Sequence, residues 1–132
     1  MLVVDASAAI ELLLSTPLGR QVAREIGLEH TLHAPDLLGV EIVSVLRRLI
    51  AAGEIDATIA ERVLADLAAL GVETYEHAPL LERMLALRKN LSSYDAAYVA
   101  LAEGLGAALL TCDEKLARAP GHGATVTIVR AS

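Results

Sequence analysis

At 132 residues the chain suits one domain with one hydrophobic core, and 55% of it is apolar. A net charge of -6 speaks against a broad electrostatic nucleic-acid binder, and three tyrosines without Phe or Trp exclude a base-stacking platform. Charges and glycines break every apolar run before it reaches the length of a membrane span, and the lone Cys112 excludes an internal disulfide framework.

Two hydrophobic periods alternate along the chain. Leu2 to Asp5 reads as a short buried strand, and Ala6 to Leu14 as a helix that ends before Pro17. Leu18 to Gly27 supports a second helix, with Gly27 as its stop. Thr31 to Ala34 is a strand candidate. Pro35 and Asp36 then open a long helix carrying Leu38, Ile42, Val45, Leu46 and Leu49, and Gly53 ends it. Asp56 to Leu70 predicts a further helix, with Ile59, Val63, Leu67 and Leu70 on one stripe. Val72 to Glu76 is a short strand, and Pro79 to Lys89 and Ser92 to Glu103 are helical. Gly104 and Gly106 break the second of these before the strand Ala107 to Thr111. Asp113 to Ala119 is a short helix, 120–123 a turn-rich loop, and Thr125 to Val129 a last strand. No composition shift marks a second domain, so residues 1–132 are expected to form one. Apolar strands alternating with helices predict a mainly parallel sheet covered on both faces, with ligands bound beyond the carboxyl ends of the strands.

Four acids stand out against that frame: Asp5, Glu41, Asp95 and Asp113. Asp5 and Asp113 each follow a predicted strand, which puts them on one edge of the sheet. Asp95 lies near the start of a helix, and Glu41 interrupts the apolar run of another. Local explanations exist for three. Asp5 and Asp113 suit the N-caps of the helices after them, and Asp95 follows Ser92 at the spacing of a capping box. Glu41 fits such a role less well, since it borders the buried stripe with no cation four positions away on that side. A carboxylate cluster repels itself, and an oxygen-loving divalent cation such as Mg²⁺ or Mn²⁺ relieves that repulsion. Such an ion activates a water and stabilises charge on a phosphate, so the pattern points to phosphodiester chemistry.

Other chemistries lack their residues. His30, His33, His77 and His122 show no zinc-type spacing with one another or with Cys112, and surface or loop roles are expected for His30 and His33. Cys112 is expected to be a small packed residue. There is no G-x-S-x-G elbow, Walker loop or dinucleotide fingerprint. A phospho-acceptor receiver module would need an acidic pair after the first strand and an acceptor on a middle strand. Here the first strand offers one acid, and Val72 to Glu76 offers no isolated Asp. The N-terminus carries no basic signal region, which with the single cysteine fits a reducing cytoplasm.

Four segments resemble a known family in order and spacing: Val3-Val4-Asp5-Ala6-Ser7-Ala8, Pro35-Asp36-Leu37-Leu38-Gly39-Val40-Glu41, Tyr94-Asp95-Ala96-Ala97-Tyr98-Val99-Ala100, and Leu110-Thr111-Cys112-Asp113-Glu114-Lys115-Leu116. Together they resemble PIN-domain nucleases, and most of all the VapC-type toxins of toxin–antitoxin modules. The resemblance spans essentially the whole chain. It implies a three-layer α/β/α sandwich, Mg²⁺- or Mn²⁺-dependent endoribonuclease activity, a homodimer, and inhibition by a small antitoxin that inserts a segment near the acids. By position, Asp5, Glu41 and Asp95 match the three main acids and Asp113 a more variable fourth. Ser7 and Thr111 match small hydroxyl residues beside the site, and Lys115 is placed to help a phosphate or to solvate its helix. A PIN-type nuclease for RNA maturation or DNA processing, outside any toxin module, is the alternative.

Overall fold

The computed structural model describes residues 1–131. Among them, five strands form one sheet in the order β3-β2-β1-β4-β5, and every pairing is parallel. The strands are β1 (Leu2–Val4), β2 (Leu32–Pro35), β3 (Glu73–Tyr75), β4 (Ala108–Thr111) and β5 (Val126–Ile128). Leu2 pairs with Leu32 on one side and Ala108 on the other, so β1 is the centre of the sheet. Its three residues are buried, as are the four of β2, while edge strands β3 and β5 are only partly covered. That gradient explains why β1 reads as an unbroken apolar run.

Seven helices connect the strands among the described residues: α1 (Ala6–Leu13), α2 (Pro17–Ile26), α3 (Leu37–Ala51), α4 (Ala57–Leu70), α5 (Leu81–Ala86), α6 (Ser93–Leu105) and α7 (Glu114–Arg118). The chain steps from β1 outward to β2 and β3, then returns to the far side of β1 for β4 and β5. Right-handed crossovers therefore send α1–α4 to one face and α5–α7 to the other. The reversal of direction between β1 and β4 is a topological switch point, where the connections leaving the two strands diverge and open a crevice.

The core runs between these layers. Val3, Val4, Leu109 and Leu110 from the sheet meet Ala8, Ala9, Ile42 and Val63 from helices of one face and Ala96, Ala97, Val99 and Tyr98 from α6. Each large apolar side chain buried here contributes roughly 1.5–3 kcal/mol. α6 crosses β1, β2 and β4 with residues 96–102 all buried, which is why it carries alanine where bulk would hold it off the sheet.

Several elements differ from the sequence reading. Pro17 does not simply follow a helix end. It opens α2 at the first helical position, where its missing N–H is harmless, and Thr16 caps it by accepting from Gly19. The close α1–α2 packing requires Gly19, because a Cβ there would lie 1.9 Å from the Glu11 carbonyl oxygen. Pro35 ends β2 instead of starting α3. Pro79 to Lys89 is not one helix. It is a 3₁₀ turn at Ala78–Leu80, the short α5, and a turn that leaves Arg88 and Lys89 outside helical structure. On α4 the buried stripe is Ala60 and Val63 with Leu67 and Leu70 beside them, and Ile59 is 43% exposed. The helix is turned so that the small Ala60 faces inward. His33, expected on the surface or in a loop, is 3% exposed in β2, where its ring bonds the hydroxyls of Thr31 and Tyr75. His30 is exposed as expected, with Nδ1 bonded to the Ile26 carbonyl.

Candidate active site

β1 and β4 run side by side and end together at the switch point. Asp5 is the first residue beyond β1. Its side chain is 4% exposed and accepts three hydrogen bonds. Oδ1 takes the Ser7 hydroxyl at 2.7 Å and the Ala8 N–H at 2.9 Å, and Oδ2 takes the Thr111 hydroxyl. Asp5 is thus both the N-cap of α1 and the buried acid of the crevice, so the local and the functional reading coincide.

The two hydroxyls have their orientations fixed from behind. Ser7 Oγ accepts the Cys112 N–H at 3.0 Å, and Thr111 Oγ1 accepts the Asp113 N–H at 3.0 Å. Each hydroxyl has one proton, and in each case it points to Asp5. The 3.3 Å approach between Ser7 Oγ and Thr111 Oγ1 is therefore a contact between two acceptors, with no proton to share. Ser7 and Thr111 join the end of β4 to Asp5 and present its carboxylate in one pose.

Glu41 sits one turn into α3, half-buried, and accepts the Tyr98 hydroxyl at 2.7 Å on Oε1. Tyr98 is 1% exposed on α6, one turn after Asp95, so a single phenol connects the helices carrying two of the acids. Burial first and the bond to Glu41 second push its ionisation far above the usual phenol range, and it remains a hydrogen-bond donor. The sequence reading missed Tyr98. Its place among buried alanines and aliphatic residues at 96–102 reads as core, and nothing in the sequence joins it to Glu41, 57 positions away.

Asp95 is in the first turn of α6, where Ser92 caps the helix by accepting the Asp95 N–H at 3.1 Å. Asp113 caps α7 with Oδ1, which accepts from Lys115 N at 2.9 Å and, at 3.5 Å, from Leu116 N.

Electrostatics tie the four together. Burial raises the carboxyl pKa of Asp5 despite its three hydrogen bonds, and the Asp95 charge adds to the rise. Burial also raises Glu41, against the Tyr98 bond, with Asp95 and Asp5 both contributing. Asp95 is raised by burial and then by Asp113, while Ser92 and Lys115 pull the other way. Lys115 is the one cation that enters these effects. Asp113 acts on the group through Asp95, which puts it at the rim. Among the described residues no three His, Cys, Asp or Glu side chains close into a preassembled metal cage. Asp5, Glu41 and Asp95 thus feel one another's charge, and Asp113 joins them through Asp95.

Cys112 packs beside this group. Burial and the Asp5 and Glu11 charges push its thiol up to about 11, which disfavours the thiolate.

A family model described as the PIN domain matches residues 2–122. Over 129 residues the chain is 41% identical to Ribonuclease VapC12 of Mycobacterium tuberculosis, with 98% of this chain and 99% of that protein aligned. The chain is a PIN-domain protein of the VapC family. It is also 43% identical over 129 residues to Ribonuclease VapC9 of the same organism, covering 98% of each. The crystal structure of PAE2754 from Pyrobaculum aerophilum superposes with a TM-score of 0.67 at 28% identity, covering 87% of this chain and 76% of that one. The parallel five-stranded sheet is thus the PIN-type α/β fold that the motifs implied.

Proposed function

We propose that this VapC protein is an endoribonuclease that hydrolyses RNA phosphodiester bonds with the help of Mg²⁺ or Mn²⁺, and that it is the toxin of a module held in check by a small antitoxin. The observation that carries the chemistry is the set of carboxylates around the switch point: three have pKa values raised by burial and by one another, and Lys115 is the one cation that lowers any of them. Uncompensated half-buried carboxylates are unfavourable in isolation, and a hard divalent cation is the partner their oxygen atoms suit. The relatives' names, ribonucleases in each case, supply the substrate class.

Asp5, Glu41, Asp95 and Asp113 are the residues that would hold the ion. Bound there, a divalent cation supplies an activated water and charge stabilisation on the phosphate. The protein's own part is positional. Ser7, Thr111 and the Ala8 N–H favour the ionised, acceptor-only form of Asp5 and leave Oδ2 with capacity for one more partner. Tyr98 leaves Glu41 Oε2 as the oxygen without a phenol bond. Lys115 offsets negative charge beside Asp95.

A groove of about 390 Å³ lined by Ala6, Val40, Val45 and Tyr94 runs up to Glu41, and Val40 and Tyr94 are 73% and 64% exposed. An apolar groove ending at a catalytic acid suits an inhibitory segment that covers the acids. Exposed Val43, Ile50 and Leu64 on α3 and α4 suit burial against a second copy or the antitoxin. No helix among the described residues is long and apolar enough to cross a membrane.

The test is to incubate purified protein with RNA, with and without Mg²⁺, and to map the new ends by sequencing. Cleavage is expected to vanish with chelator and in a folded Asp5→Asn variant. Cleavage that persists unchanged in chelator would remove the metal from the mechanism. The absence of any cleavage by the unsubstituted protein would remove the nuclease reading itself.

A further inference from the structure

The two flanks of the acid group differ in charge. The Glu41 flank is the apolar groove, with Arg48 as its one cation. The Asp95 flank opens into a cleft of about 320 Å³ whose walls include Arg88, Lys89, Asn90, Ser92 and Lys115. Three cations and two neutral polar groups therefore face a single carboxylate, in a protein whose net charge is -6.

These cations are also available. Arg83, Arg118 and Arg130 are engaged with Glu103 or Glu114, and none of the ion pairs among the described residues involves Arg88, Lys89 or Lys115. Arg88 is exposed, and its guanidinium bonds the Leu85 carbonyl through Nη1 alone. Arg88 and Lys89 lie in the turn that follows α5, and that turn forms one wall of the cleft. The first turn of α6 opens into the same space and adds the positive end of its dipole.

We infer that this cleft is a subsite for the RNA backbone, in which Arg88, Lys89 and Lys115 bind phosphates adjoining the one that is cut. The proposal rests on the ribonuclease reading and adds a direction to it: the strand enters along the α5–α6 turn, past Asp95, and the apolar groove on the other side stays free of nucleic acid. Phosphate contacts of this kind fix position and carry no base information, which suits a site without aromatic platforms.

The test uses the double variant R88Q/K89Q and, as a control for charge alone, R20Q/R24Q on α2. Hydrolysis of a fluorogenic single-stranded RNA is measured over a range of salt, and binding of the same oligonucleotide is measured by anisotropy in chelator. R88Q/K89Q is expected to raise KM on the order of tenfold with kcat within about twofold. It should flatten the slope of log Kd against log salt by about 1.4, or about 0.7 per lost phosphate contact. R20Q/R24Q should change neither. Wild-type KM and salt slope in R88Q/K89Q, or equal effects in both variants, would overturn the subsite. Because binding is read without turnover, it decides on the cleft even if the protein cleaves no RNA, an outcome that would count against the nuclease reading alone.

Discussion

Asp5 accepts three hydrogen bonds and still holds its proton more tightly than an exposed aspartate, because burial outweighs the donors. The same competition decides Glu41, where the Tyr98 phenol favours the ionised form against burial and the charges of Asp95 and Asp5. Removing it has a signed consequence. In Tyr98→Phe the Glu41 carboxyl rises further, so the acid limb of the pH–activity profile moves to higher pH. The fold loses about 1 kcal/mol for the missing bond, and a pH profile that overlays the wild type would show that the phenol only fills space. Asp95 gives a second test. Its pKa is raised above the ordinary 3.8, so the stability it allows is present below that value and is lost as pH rises through its elevated value in the folded chain. The metal-free Asp95→Asn variant should therefore melt with the wild type in acid and a few degrees above it at about pH 8. Calorimetry across that range checks it, and a variant that melts below the wild type at high pH would contradict the assigned repulsion.

Elements matter here for where they begin. α3 carries Glu41, yet its N-cap residue Asp36 makes no capping bond through its side chain. The Leu37 N–H is instead satisfied by His77 Nε2 at 3.0 Å, and the Asp36 N–H by the Tyr75 carbonyl at 2.8 Å, so the end of β3 and the residues after it pin the start of the helix that carries Glu41. Because Nε2 accepts, the ring proton of neutral His77 resides on Nδ1. His77→Ala should cost about 1 kcal/mol in urea unfolding and lower RNA cleavage through Glu41, with the metal-saturated fold intact. The α1–α2 pair offers a steric counterpart: Gly19→Ala drives a methyl into the Glu11 backbone, and a loss of about 3 kcal/mol, or roughly 10 °C in Tm, is expected. Such contacts were not legible in the sequence. His77 and Leu37 are 40 positions apart, Tyr98 and Glu41 57, and a helical tyrosine among alanines reads as core whether or not its hydroxyl has a task. Ile59 misled for a related reason. Periodicity identifies a stripe to within one residue, and the choice between Ile59 and Ala60 was made by the space available.

For the whole molecule, the alternation of strand and helix was enough to foresee a parallel sheet and to put Asp5 and Asp113 at one edge. The strand order was not foreseeable from the alternation, and it is the order that brings β4 beside β1 and creates the crevice. Whatever relieves the repulsion between the acids should stabilise the entire fold. Mg²⁺ at about 100 times its Kd adds about 2.7 kcal/mol by mass action. The rise in Tm should shrink in Glu41→Gln, which keeps an acceptor for Tyr98 and loses the charge. A variant that gains as much as the wild type would place the ion elsewhere.

The bond from Thr111 to Asp5 closes a loop of 106 positions. While the chain is being made, Asp5, Glu41 and Asp95 leave the ribosome before Thr111 does, so a half-made chain carries three of the acids without the strand that sets the first of them. The order of synthesis thus leaves Asp5 without its buried setting until β4 has joined the sheet. A chain interrupted before that strand has neither the Thr111 hydroxyl nor the neighbouring strand that hold Asp5 in place.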